Sequence, residues 1–256
     1  MLRNRIPILI LFALAILSAN LASASFRIIS TNTNVYLGSN TTAQVSEVVN
    51  VYVSNSSYAT YNKDRLALNL SLSEWQSLFG DGLVQHIVNP ESGVYGFEFL
   101  PGPLIRSGDN YTASILMSYY VKNVTTVQNI APRVFAHQFN DQVFNFEHAA
   151  SGEVLSNNTM LTIVLPKGST INYVYPTPDS PATGISDNYK NITTLSWNNG
   201  EPLGTFRLSY DTEESLQGEV GSFFTAVYNY LGLFTYIIII VIILLIIIYT
   251  YFKASR

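Results

Sequence analysis

The sequence contains no cysteine, which excludes disulfide bonds and thiol chemistry. Charged residues are also scarce, at 12% of the chain, and the net charge at pH 7 is −4. Because no basic stripe exists to meet a phosphate backbone, we expect that nucleic acid is not a partner. What is present is a chain of 256 residues rich in hydrophobic and neutral polar side chains. A domain of this size has enough interior to fold without cross-links.

The apolar run 231–252 holds about 22 residues and contains neither a charged residue nor a proline. As a helix it would extend roughly 33 Å, enough to cross the hydrocarbon core of a bilayer. A helix also satisfies every backbone polar group within the segment. We therefore predict a transmembrane helix at 231–252, with a buried core helix as the alternative. Lys253 and Arg256 follow, so the positive-inside rule predicts a cytoplasmic tail at 253–256.

The first 24 residues have the pattern of a secretory signal peptide. Two arginines precede the apolar stretch Ile6–Ala19, and Ala22-Ser23-Ala24 is a small-residue cleavage signal. We predict a signal peptide at 1–24 that is cleaved between Ala24 and Ser25, with an uncleaved anchor as the alternative. Either form leaves the bulk of the chain extracytoplasmic. The predicted protein is a single-pass type I protein of the cell membrane, with the lipid bilayer as a partner.

Asparagine, serine and threonine form seven N-x-S/T sequons, a mild excess over chance. Such sequons are acceptors for N-linked glycans in exported proteins. The acceptor positions are Asn40, Asn55, Asn69, Asn110, Asn123, Asn157 and Asn191. We predict that the exported domain is a glycoprotein wherever the host has the glycosylation machinery.

The chain as a whole resembles the membrane-anchored surface glycoproteins of archaea. The resemblance is one of composition and layout, namely sequons without cysteine and an isoleucine-rich span, and not of a motif. It implies a protein of the cell surface, and it assigns no family.

Hydrophobic residues recur with a period of two through most of the exported part, as in half-buried strands. In Thr42–Val53 the valines share one phase, and Glu47 is the exception in that phase. Other candidate strands are Tyr95–Phe99, Tyr111–Tyr119, Val143–Phe146, Met160–Leu165, Thr170–Tyr175, Thr193–Trp197 and Thr205–Tyr210. Trp197 and Phe206 flank Asn199-Gly200, which predicts a hairpin.

These short strands predict an antiparallel β-sandwich. We expect two sandwich subdomains at 25–126 and 127–211, joined through the strand-poor segment 124–133. One larger sandwich remains the alternative.

Helices are expected at two places in the exported part. Ser73-Glu74-Trp75-Gln76 is a capping-box pattern for one short helix, while the leucines of Leu66–Leu72 alternate with Asn69 on the opposite face. Asp211–Glu214 is expected to start a stalk helix at 212–230 that is continuous with the span. The apolar face of this helix is expected to be buried against the β domain, in the membrane interface or against a partner helix.

No catalytic, metal or cofactor motif appears. His137, Asp141, Glu147 and His148 are the richest set of potential ligands, but their spacing matches no metal motif. The isolated carboxylates Glu47, Glu98, Asp109 and Asp141 are expected in solvated turns. We therefore predict no catalytic residue, no metal site and no cofactor.

A stiff, aromatic segment is the best candidate for contact with a partner. Its residues are Tyr173, Tyr175, Pro176, Pro178 and Pro181. The predicted function is that of a non-enzymatic, membrane-anchored surface glycoprotein that acts by binding, adhesion or assembly with envelope proteins. The alternatives are an accessory subunit of a membrane complex, held through stalk and span, and an ectoenzyme.

Overall fold

A computed structural model describes residues 25–67, 71–149, 152–181, 189–190, 192–198, 200–214, 216–232 and 234–254. The predicted signal peptide 1–24, with Ala24, lies outside these ranges. So do the sequon residues Asn69 and Asn191. Ser25 is the first described residue, and it is exposed.

Strands account for 47% of the structure and helices for 23%, which confirms the predicted mostly β fold class. The strands are β1 (Phe26–Leu37), β2 (Ala43–Val53), β3 (Val94–Pro101), β4 (Ile105–Ser107), β5 (Asn110–Val121), β6 (Thr125–Ala131), β7 (Val134–Phe139), β8 (Glu147–Ala149), β9 (Gly152–Val154), β10 (Thr159–Val164), β11 (Thr170–Tyr175), β12 (Tyr189–Lys190), β13 (Thr194–Trp197) and β14 (Arg207–Glu213). The helices are α1 (Tyr58–Leu66), α2 (Leu72–Phe79), α3 (Leu216–Leu231) and α4 (Phe234–Ala254).

Most strands belong to two sheets. Sheet 1 has the order β13-β10-β1-β2-β5-β3, with β4 also paired to β5, and sheet 2 has the order β12-β11-β14-β7-β6. The described pairs are antiparallel except β1 with β10, which is parallel. Sheet 1 draws strands from both sides of residue 126, and one hydrophobic core holds residues of both sheets. Several antiparallel sheets around one core are consistent with the predicted sandwich.

The alternation of buried and more exposed side chains explains why some strands could be predicted from the sequence. Along β2 the side chains from Ala43 to Val53 are buried at every second position, and those between them are half-buried or exposed. The period of two therefore directs one row of valines into the core. β11 begins and ends where the sequence predicted, at Thr170 and Tyr175.

Two expectations about strands were wrong. The segment 124–133 is not strand-poor, because β6 lies within it and pairs with β7. β6 begins with threonines and a valine, which favour strands. Val143–Phe146 is not a strand. A 3₁₀ helix at Asp141–Val143 occupies its start, and the Asn140 side chain accepts a hydrogen bond from the Gln142 backbone N–H there.

The hairpin expected between Trp197 and Phe206 does not form. Trp197 ends β13 in sheet 1, whereas Phe206 precedes β14 in sheet 2. The chain after the turn bonds to β9 instead, since the Leu203 N–H donates to the Glu153 carbonyl at 2.7 Å. The two rings still meet edge to face at 5.1 Å, so this crossing ties the two sheets together.

The helices near residue 70 also differ from expectation. The capping box lies at Ser71 and Glu74 instead of Ser73 and Gln76, and the Glu74 carboxylate accepts the Ser71 backbone N–H at 2.6 Å. Leu66 ends α1 and is 68% exposed, and Leu72 begins α2, so both ends of the expected strand-like leucine face are helical. Its middle, at 68–70, lies outside the described residues.

The stalk helix begins later than expected. Asp211–Glu213 belongs to β14, held there by pairing with β7, and α3 starts at Leu216. Gly232 then separates α3 from α4 with φ of +55°. Its N–H donates to the Tyr228 carbonyl at 2.7 Å, as at a helix C-terminus. A stalk continuous with the next helix was therefore a wrong prediction. Within the described residues, no helix is both long and apolar enough to span a membrane.

Candidate functional site

The register of sheet 2 gathers a set of exposed side chains on its solvent-facing side. Tyr173 pairs with Ser209, Ser209 with Gln138 and Gln138 with Thr126, so these four lie in one row across the sheet. Directly opposed residues share a face of a sheet. Tyr175 pairs with Arg207 in the adjacent row. We call this surface the tyrosine face; its members are Thr126, Gln128, Gln138, Tyr173, Tyr175, Arg207 and Ser209.

The tyrosine face is open to solvent. Tyr173 and Tyr175 are 52% and 46% exposed. A depression of about 430 Å³ lies against Gln138, Tyr173 and Arg207. Within the described residues, Arg207 forms no ion pair with an acidic group. Flat aromatic rings beside amide and guanidinium groups suit contact with a polar partner, because each ring offers apolar area and a hydroxyl.

The proline part of the predicted contact segment behaves differently from its tyrosines. Pro176 and Pro178 are buried and Pro181 is half-buried. The Trp197 indole N–H donates to the Pro176 carbonyl at 2.9 Å, and the Asp179 carboxylate accepts the Asn198 N–H at 2.8 Å. Pro176 and Pro178 thus hold the loop to the core, whereas the two tyrosines face solvent.

The described sequons lie at the ends of sheet 1. Asn40 and Asn123 are neighbours at one end, where the Thr125 hydroxyl donates to the Asn40 carbonyl at 3.3 Å. Asn55 and Asn110 are neighbours at the other end, since the Asn55 N–H donates to the Asn110 side-chain oxygen at 3.3 Å. Asn157 lies in the turn before β10.

Four of these five acceptors, all but the half-buried Asn110, are exposed. None of the described acceptor asparagines lies on a strand of sheet 2, although the Asn123 sequon ends at Thr125, the first residue of β6. Asn191 follows β12 in the sequence and lies outside the described residues.

Glu47 lies at the centre of a buried polar cluster that was not predicted from the sequence. This side chain is fully buried on β2, so the solvated turn expected for it is wrong. Its carboxylate accepts hydrogen bonds from His86 Nδ1 at 2.5 Å, the His86 backbone N–H at 2.9 Å, the Tyr119 hydroxyl and the Thr33 hydroxyl at 3.4 Å. One feature of the sequence pointed to this cluster: Glu47 is a single acidic residue in the row of β2 positions that is otherwise hydrophobic and buried. Such a group requires partners within the fold.

Tyr119 and His86 both bond to Glu47, and the Tyr119 hydroxyl also accepts the Ile87 backbone N–H at 3.2 Å. Burial, and next the charge of Glu47, raise the pKa of Tyr119 far above its usual range, so its hydroxyl remains a donor. His86 comes from the segment 81–89, which crosses the inner side of sheet 1 and bonds to 143–145 through Val88 and Asn145. The His86 ring also contacts the Phe146 ring at 5.0 Å.

The potential metal ligands do not assemble. His137 is buried in β7, whereas Asp141, Glu147 and His148 are exposed. His148 lies 3.8 Å from Glu153. In the described part of the chain, no group of three or more His, Cys, Asp or Glu residues could hold a metal ion. Glu98 and Asp109 are exposed, as expected, although Glu98 lies on strand β3 and not in a turn.

Comparison with known proteins adds no identification. The sequence matches no protein-family model, and no curated protein is found to be similar to it.

Proposed function

We propose that this chain is a membrane-anchored, N-glycosylated surface protein whose β-sandwich domain binds a partner through the tyrosine face. One observation carries the proposal: the exposed tyrosines and Arg207 lie together on sheet 2, and none of the described acceptor asparagines lies on a strand of that sheet. Glycans hydrate and cover the surfaces around them, so this aromatic face is the proposed surface for adhesion or envelope assembly. The proposed role is binding and not catalysis.

The anchor is the segment 231–252, supported by its length and its lack of charged residues. The preceding helix α3 also fits a position at the membrane surface. It exposes apolar and aromatic side chains along its length, namely Val220, Phe223, Phe224, Tyr228 and Tyr230. Tyrosine and phenylalanine favour the interface between lipid and water.

A second candidate function is that of an accessory subunit held by its helices. A depression of about 360 Å³ lies where α3 meets α4, lined by Phe224, Thr225, Tyr228, Tyr236 and Ile239. An apolar side chain of a partner helix would fit such a site. This function differs from the first in placing the contact at the helices and not at sheet 2.

The test is purification of the full chain from native membranes in mild detergent, with mass spectrometry of co-purifying proteins. One variant carries Y173A, Y175A and R207A. The matched control carries Y95A, Y120A and K122A, which removes two stacked, exposed tyrosines and a cation from sheet 1. We expect partner recovery to fall about tenfold or more in the first variant and to persist in the control.

Equal recovery from both variants would overturn the role of the tyrosine face. Replacing 231–252 by an unrelated apolar helix separates the second candidate from the first. A partner bound through sheet 2 remains after the replacement, and a partner bound through helix contacts is lost.

A further inference from the structure

A cleft of about 540 Å³ opens beside the buried cluster of Glu47, between β1, the segment 81–86 and the turn before β10. Its volume is within the range of about 300–1,000 Å³ that is usual for small-molecule sites. The cleft does not touch the tyrosine face, whose residues lie on sheet 2. It therefore requires an explanation of its own.

The wall of this cleft includes a histidine with a fixed orientation. His86 is 8% exposed and is held by Glu47 through Nδ1 at 2.5 Å. A carboxylate accepts, so Nδ1 donates, and Nε2 is left as an acceptor. Nε2 bonds to no described residue, and it is not among the buried atoms that lack a partner, so solvent in the cleft reaches it.

A buried carboxylate is costly unless its partners compensate for lost hydration. Valines occupy the neighbouring positions of the same row of β2, and a valine would fit the pattern at position 47. Glu47 instead fixes the tautomer and the direction of one imidazole. This arrangement is typical of a histidine that binds or positions a ligand.

The charges around the cleft restrict the ligand class. Its described lining residues include the acidic Asp81 and Glu147 and no lysine or arginine, which disfavours phosphates and carboxylates. The remaining polar groups are neutral, with amides from Asn145 and Asn157. Apolar side chains complete the wall, including Ile28, Val84 and Phe146. Many hydrogen-bonding groups beside apolar patches match a neutral molecule rich in hydroxyls.

We propose that this cleft binds a neutral saccharide, with His86 Nε2 accepting a hydrogen bond from a sugar hydroxyl. Two sources share this chemistry. Asn157 is an exposed sequon residue in the lining, so its own glycan could enter the cleft, and a saccharide from outside is the other source. The proposal does not depend on the tyrosine face, and either can fail alone.

The first arm of the test uses the full chain in detergent, produced without glycosylation. The probes are glucose, mannose and N-acetylglucosamine, with glucosamine as a cationic and glucose 6-phosphate as an anionic comparison. Saturation-transfer NMR measures binding. We expect the neutral sugars to bind with Kd of about 1 mM or tighter. Binding should weaken about tenfold in H86Q, because glutamine can still contact Glu47 but removes the ring acceptor.

Two further variants distinguish a loss of sugar binding from a loss of folding in the first arm. H148Q changes a histidine whose side chain is 73% exposed, and it should bind as the wild type does. D81A changes an exposed residue of the lining and should weaken binding with an unchanged unfolding temperature. Stronger binding of either charged probe overturns the ligand class. Equal binding by wild type, H86Q and D81A overturns the site.

The second arm uses the glycosylated chain and identifies the source. If the glycan at Asn157 fills the cleft, free sugar binds only after N157Q, while N40Q at the end of sheet 1 has no effect. If the source is external, wild type and N157Q bind free sugar alike. Absence of binding by the unglycosylated chain and by N157Q overturns the proposal.

Discussion

The imidazole ring of His137 lies flat against the phenol ring of Tyr210, with centroids 4.7 Å apart and an interplanar angle of 3°. The two are direct partners on β7 and β14. Nε2 of His137 lies 2.9 Å from the Thr212 hydroxyl. Nδ1 of His137 and the Tyr210 hydroxyl are buried without a hydrogen-bond partner among the described residues. Burial lowers the pKa of His137, although the nearby Asp211 acts in the opposite direction.

This stacked pair predicts a pH dependence of stability. Below about pH 6.5, the ordinary pKa of histidine, His137 binds a proton more readily in the unfolded chain than in the folded chain. The His137 contribution to stability is therefore fully present above that pH, and it is lost as pH falls towards the lowered pKa of the folded state. We expect H137F to remove this part of the slope of unfolding free energy between about pH 5 and 7. Urea titrations of the full chain in detergent measure that slope.

H148Q is the control for this prediction, because it removes an exposed histidine that lies outside the stacked pair. An unchanged slope in H137F would show that His137 is protonated to the same degree in the folded and unfolded chain.

Period-two alternation was sufficient to predict β2 and β5, since one face of each is buried and the other is half-buried or exposed. Alternation does not determine pairing, so the sequence could not reveal that β10 joins β1 in parallel or that β13 and β14 lie in different sheets. β1 was missed because its first half alternates only weakly between half-buried and exposed positions.

The residues of the candidate sites could likewise be predicted only in part from the sequence. Tyr173 and Tyr175 could be selected from composition and spacing alone. Their neighbours Gln138 and Arg207 are about 35 residues away in the sequence on either side, and only the register of sheet 2 unites them. Glu47 stood out in the sequence as the exception in its strand. Its partner His86 could not be found, because it lies 39 positions further along the chain, beyond helices α1 and α2.

The Glu47 cluster predicts a large loss of stability from one substitution and a less than additive loss when a second is combined with it. E47V leaves the Tyr119 hydroxyl and His86 Nδ1 without their acceptor, at a cost of about 1–3 kcal/mol for each donor. Y119F removes one of these orphaned donors but leaves the Ile87 backbone N–H without its acceptor, so the double variant should be less destabilised than the sum of the two single variants. Urea titrations of the two single variants and the double variant provide a double-mutant cycle.

If E47V is as stable as the wild type, the cluster contributes nothing to folding. Additive effects of E47V and Y119F would show that the two side chains do not interact.

The contact between Trp197 and Phe206 predicts that one aromatic ring holds the two sheets together. Phe206 also packs against Phe139 of sheet 2 at 5.4 Å and against Phe144 at 5.0 Å. F206A should lower the free energy of unfolding by about 3–5 kcal/mol, the usual cost of removing a buried phenylalanine. F223A is the control, because Phe223 is 62% exposed on α3 and should change stability by less than about 0.5 kcal/mol. Comparable losses from both would mean that Phe206 is not a core residue.

Gly102 and Gly221 predict opposite effects of the same substitution. A methyl group on Gly102 would lie 2.5 Å from the Ser114 carbonyl oxygen, which also accepts the Gly102 N–H at 2.8 Å. The Tyr61 hydroxyl donates to the Gly102 carbonyl at 2.9 Å, so the backbone has little freedom to shift. We expect G102A to destabilise the chain by about 1–3 kcal/mol.

The methyl group of G221A would meet nothing within 4 Å, and Gly221 lies inside α3. There alanine favours the helix by roughly 0.5–1 kcal/mol, because glycine loses more backbone entropy on folding. Circular dichroism should show a rise in the melting temperature of α3 for G221A, while G102A lowers that of the β domain. A stable G102A would mean that β3 and β5 can separate at Gly102 without loss of pairing, in contradiction to the close approach of these backbones.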